Sequence, residues 1–161
     1  MMVLLLLSLL HIVALSSAAT VSVPSSDNVV KMKSKVKWMA EQLVVRLNKD
    51  FQVPPNLMPA SHVDDLDGLT SIVSMLDGYN SLLSETLGGV PQIKLEVSSL
   101  TEYLRYWGEE HCDKQRHKPS AWMQELHMMK ESSHSVSMET INRLKTFLNL
   151  LMKNLEKLEK C

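Results

Sequence analysis

Apolar side chains recur at steps of three and four residues in four long stretches of this 161-residue chain. That step places them on one face of an α-helix. In the first stretch Val29, Met32, Val36, Met39, Leu43 and Leu47 share a face, and the spacing predicts a helix over about 27–50. Ser25, Ser26 and Asp27 are candidates to accept its first free backbone N–H groups. The second stripe, Leu69, Ile72, Leu76, Tyr79, Leu83 and Leu87, predicts a helix over about 68–87, capped by Asp67 and stopped by Gly88–Gly89. The third helix, 91–111, opens at Pro91, a residue suited to a first turn, and carries Ile93, Val97, Leu100, Leu104 and Trp107. The fourth, 136–160, carries Ile141, Leu144, Leu148, Leu151, Leu155 and Leu158. No stretch of comparable length alternates with the period of two that a half-buried strand requires, so the expected fold class is all-α.

The links between the stripes restrict their arrangement. About four residues separate the second and third helices, which makes them antiparallel neighbours. The first link, Phe51 to Asp67, can stretch to about 55 Å, and a 22-residue helix is about 33 Å long. The third link, Asp113 to His134, is longer still. Both links therefore have the reach to cross a bundle from pole to pole. Within the third, Trp122, Leu126 and Met129 have helical spacing and predict a short extra helix lying over one pole.

The N-terminus sets the compartment. Val3 to Leu15 is an apolar run broken only by Ser8 and His11, too short for the roughly 20 residues of a membrane span. Small residues follow, with Ser17 and Ala19 placed as the −3 and −1 positions of a cleavage site. Residues 1–19 are expected to be a signal peptide and 20–161 a single secreted domain, with no membrane insertion. In an oxidising compartment the two cysteines, Cys112 and Cys161, read as one disulfide; an intermolecular bridge or two free thiols are the alternatives. Closed within one chain, the bond requires Cα atoms within about 7 Å. Antiparallel third and fourth helices would hold those ends about 30 Å apart. The disulfide thus implies a parallel pair and a long crossover between them. With a second crossover before helix two, the expected architecture is an up-up-down-down four-helix bundle.

The terminal cysteine, the two long links, "VVRLNKD" closing helix one, "YNSLL" in helix two, "LTEYLR" in helix three and "INRLKTFLNLLMKNL" in helix four together resemble the leptin family, in detail its fish members. The resemblance covers nearly all of 20–161. It implies a hormone that binds a type I cytokine receptor and signals energy balance, monomeric when free. Positions that match the family's receptor surface on helices one and three are Lys35, Trp38, Glu41, Gln42, Arg105 and Tyr106. A second family surface corresponds to Val63, Asp64, Asp65 and Leu66 at the end of the first link, with Ser135 and Val136 at the start of helix four. Trp38 and Tyr106 also stand out without the family, as aromatics among polar neighbours off the core stripe, the composition of interface anchors. The alternatives are another long-chain helical cytokine, or a secreted lipid carrier built of amphipathic helices.

Composition narrows this further. Seventeen basic and eighteen acidic residues give a formal net charge of −1, with no basic surplus to attract nucleic acid. His62, His111, His117, His127 and His134 contain no i, i+4 pair of the kind that holds zinc on a helix. Asp64, Asp65 and Asp67 lack the further ligands of a calcium loop. With no nucleophile elbow, phosphate loop or zinc-protease motif, neither an enzyme nor a bound cofactor or metal is expected.

Overall fold

The computed structural model describes residues 24–52, 66–113, 121–128 and 133–161, apart from the side chains of residues 121 and 122. The predicted signal peptide lies outside these residues. The described residues are helical and contain no strand: α1 (Ser26–Asp50), α2 (Leu69–Leu82), α3 (Val90–His111), α4 (Ala121–Met128) and α5 (Ser133–Lys153), followed by a 3-10 turn at Leu155–Glu159. They pack as a helical bundle, α1 against α3 and α5, and α2 against α3 and α5.

Local chemistry explains the helix ends, and two of the helices, α2 and α5, depart from the periodicity. The Ser25 side chain accepts a hydrogen bond from the Asn28 N–H and caps α1. Helix α2 stops at Leu82 instead of Leu87. Leu83 turns extended, and the Ser84 N–H leaves the helix to donate to Ser137 Oγ on α5 (2.8 Å). The apolar period continues past this point because Leu83 still turns into the core. Nor does Asp67 cap α2. The N-cap is Gly68, without a side-chain bond, and the Leu69 N–H donates to the Lys160 carbonyl (2.6 Å). Gly89, in the left-handed region at φ 84°, starts α3 with Pro91 in the first turn. The fourth stripe is also not one helix over 136–160. It starts at Ser133, and at Asn154 the backbone leaves helical geometry and tightens into the 3-10 turn.

The core fills the space between the four long helices. Met32, Val36, Ala40, Leu43 and Leu47 of α1 are buried; Val29 and Met39, expected beside them, are half-buried. On α5 the buried arc is wider than one stripe and includes Phe147, whose ring lies 5.4 Å from that of Tyr79. Buried hydroxyls are satisfied locally: Thr101 donates to the Val97 carbonyl (2.8 Å) and Thr140 to the Val136 carbonyl (2.7 Å).

Each end of the bundle gathers distinct chain segments. At one, Pro24 and Val29 of the α1 start, Leu69, His111 at the end of α3, and Leu158 and Cys161 surround a cavity of about 220 Å³. There Cys112 and Cys161 form the disulfide, with Cα atoms 5.6 Å apart. At the other, Phe51 after α1 lies against Gly89 before α3, and Lys145 of α5 donates to the Phe51 carbonyl (2.9 Å). Burial there lowers the Lys145 pKa from its usual value.

The short helix α4 forms where the third link predicts one. Its buried anchors are Met123 and Leu126; the side chains of Trp122 and Met129 lie outside the described residues. Met123 fits over Gly78 of α2, where an added Cβ would overlap its Sδ and Cε atoms. Gly78→Phe is therefore expected to undock α4. Hydrogen exchange of the 121–128 amides should accelerate while α1 and α5 keep their protection. Unchanged protection of α4 would show that Met123 does not anchor it.

Candidate functional site

Among the described residues no three His, Cys, Asp or Glu side chains gather as a metal site, and both cysteines are in the disulfide. What the molecule does present is large apolar side chains on the outside of α1 and α3. Trp38 is 55% exposed, Val45 62%, Leu95 61% and Tyr106 64%.

On α1, Lys35, Gln42 and Arg46 follow one another at i, i+7 and i+11, so they share one flank, with Trp38 set between Lys35 and Gln42. That flank is turned toward α3, because Arg46 reaches across to Glu96 (2.6 Å). The Lys35 ammonium lies 5.1 Å from the centre of the Trp38 ring, a cation–π distance. Glu41 is exposed on the other flank, with Lys37 3.9 Å away. On α3, Leu95, Ser99, Glu102 and Tyr106 form an outward stripe at i, i+4, i+7 and i+11. A hydrogen bond with Glu110 raises the Tyr106 hydroxyl pKa.

Arg105 stands apart from the other matched positions. It shares a stripe with Lys94 and Ser98, and both of those point to α2: Ser98 accepts from Asn80 (2.9 Å) and Lys94 donates to the Leu83 carbonyl (3.3 Å). Arg105 itself is half-buried, donating to Asp77 of α2 (2.6 Å) and to Glu102. The hydrogen bond with Asp77 is the main reason its pKa is raised. So Lys35, Trp38 and Gln42 come together on the α3 side of α1, Tyr106 lies on the outward line of α3, and Glu41 and Arg105 face away from the α1–α3 seam. Of the second set, Val63, Asp64 and Asp65 lie outside the described residues. Leu66 and Val136 are buried and Ser135 is exposed. Val45 is absent from the matched set, although its place opposite the Val36–Leu43 stripe marks it as outward-facing in the sequence itself.

The described residues thus form a disulfide-stapled helical bundle with aromatic side chains exposed on α1 and α3. No protein-family model matches the chain. It is, however, similar to the leptin of Tetraodon nigroviridis, 42% identical over 141 residues, 86% of this chain and 88% of that protein. It is similarly related to the leptin of Takifugu rubripes, 42% identical over 134 residues, 83% of this chain and 82% of that protein. The chain belongs to the leptin family: it is a hormone and not an enzyme. This decides against the lipid-carrier alternative.

Proposed function

We propose that the chain is a secreted hormone that binds a type I cytokine receptor through the α1–α3 side of an up-up-down-down bundle, and so signals energy balance. The order of the helices is supported by what meets at each pole. The starts of α1 and α2 lie with the end of α3 and Cys161, while Phe51 after α1 lies with Gly89 before α3. Two long crossovers join segments so placed. Secretion is supported by the N-terminal apolar run and by the disulfide. Among the described residues no helix is long and apolar enough to cross a membrane.

The observation that carries the receptor surface is Trp38, an aromatic more than half exposed with Lys35 beside it. Such a side chain contributes little to the fold and much to an interface that desolvates it. Gln42 and Tyr106 extend the surface, with Glu41 and Arg105 at its borders. Of the second surface we keep Ser135, exposed beside buried Val136 at the end of α2; Leu66 is buried at the start of α2, toward the other pole.

Trp38→Ala is expected to change stability by less than about 1 kcal/mol, as surface substitutions generally do. It should weaken binding to a soluble leptin-type receptor ectodomain by about 2 kcal/mol, roughly thirtyfold. Thermal melts must accompany the titration, since unfolding alone would mimic lost affinity. Native melting with undiminished binding would remove Trp38 from the surface.

A further inference from the structure

The α2–α3 side of the bundle carries a groove that meets the proposed receptor surface only at Arg105. Its floor is Leu69 and Val73 of α2 with Leu104 and Gly108 of α3, and its volume is about 260 Å³. Gly108 keeps it open: a Cβ there would lie 3.3 Å from the Leu69 Cδ2 atom and begin to fill the floor. Such a floor accepts one or two aliphatic side chains and offers them few polar partners.

The rim adds charge. Arg105 lines the groove, but its guanidinium is already held by Asp77 and Glu102, two carboxylates on one cation. Glu109 and Asp113, also on the rim, are exposed and form no ion pair among the described residues. The elements behind them reinforce that sign. Helix α2 has Asp77 and no basic residue, and α3 has four glutamates against Lys94 and Arg105. Helix α1 is the opposite, with six basic and three acidic side chains. Among the described helices the charge is thus polarised, α1 basic and the α2–α3 pair acidic.

We infer that this groove is a further protein-binding site, and that its occupant is a segment of another protein with aliphatic side chains flanked by Lys or Arg. The apolar floor selects the aliphatic anchor, and the exposed carboxylates of Glu109 and Asp113 select basic neighbours and steer their approach. The chain's own basic run, Lys114 to Lys118, follows Asp113 directly but contains no aliphatic residue to fill the floor. The floor and the carboxylates of Glu109 and Asp113 involve none of Lys35, Trp38, Gln42 or Tyr106, so Arg105 is the one residue this site shares with the receptor reading.

The test is a titration of the full mature chain with acetyl-Lys-Lys-Leu-Leu-Lys-Lys-amide, followed by NMR shifts of the Val73 and Leu104 methyls and the Gly108 amide. A saturable change at these groups is expected, weakening as salt is raised. The double variant Glu109→Lys with Asp113→Lys lies on the exposed rim and should fold normally, yet weaken binding about tenfold or more. Acetyl-Glu-Glu-Leu-Leu-Glu-Glu-amide should leave the groove unchanged. Equal response to both peptides, or shifts confined to α1, would overturn the inference. So would binding that appears only after Lys114, Arg116 and Lys118 are changed to Ser, since the groove would then belong to the chain's own loop.

Discussion

Replacing both cysteines by serine, Cys112→Ser with Cys161→Ser, is expected to lower stability by about 4 kcal/mol in the chain-entropy account of cross-links. The bond joins residues 49 apart in sequence, and cutting it frees that loop in the unfolded chain. The folded state has its own reason to suffer. The disulfide fixes the chain segment that follows α5, and several contacts depend on that segment. The Lys160 carbonyl accepts from the Leu69 N–H at the start of α2, Glu159 pairs with Lys33 of α1, and Leu158 is buried. Gly68 allows this closeness, since a Cβ there would lie 2.9 Å from the Lys160 carbonyl oxygen and 3.0 Å from the Cys161 carbonyl carbon. Without the bond this segment should fray and leave the start of α2 uncapped. Using the double variant avoids a lone thiol that could cross-link two molecules. Urea unfolding of wild type and variant gives the difference directly. A loss below about 1 kcal/mol would mean that the segment holds its place by packing alone, and that the unfolded chain gains little from being released.

Phe147→Ala should cost about 3–5 kcal/mol, the range for removing a fully buried aromatic side chain. Phe147 is among the largest fully buried side chains, and its tilted contact with Tyr79 joins α5 to α2. Truncation leaves a cavity between helices held on either side by other contacts, including Ser84 to Ser137, so little collapse is open to it. Leu148→Ala, one position along, should cost about 2–5 kcal/mol. Both positions are buried and neither belongs to the proposed receptor surface, so receptor binding measured well below the melting temperature should survive both changes. A loss for Phe147→Ala under about 1.5 kcal/mol would show that the bundle closes over the gap.

These expectations draw on the sequence and on the structure to different degrees. Helix α1 was legible almost to its ends, because a single stripe faces a single side and Ser25 supplies a cap of ordinary chemistry. Helix α2 was read five residues too long: its stripe continues through Leu83 and Leu87, and apolar spacing does not reveal that Ser84 finds a partner on α5. Phe147 escaped the fourth stripe for a related reason. A row of one residue per turn leaves out the buried positions beside it, and on α5 these include Phe147 and Thr140. Trp38 and Tyr106 were visible as aromatics off the core face. The attachment of Arg105 to Asp77 was not, since it depends on which neighbour that flank of α3 meets.

The sequence by itself determined that the chain is helical, where its four long apolar faces run, that a short helix sits in the third link, and to which family the chain belongs. These follow from local periodicity and from residue identity at matched positions, neither of which needs a neighbour in space. Only the tertiary structure decided that the Lys160 carbonyl caps α2, that Met123 seats α4 over Gly78, and that α1 is basic where the α2–α3 groove is acidic. Each of these joins groups far apart in sequence, and no pattern within one helix specifies its partner. Packing chooses that partner by requiring every buried face to be covered and every buried polar group to be paired.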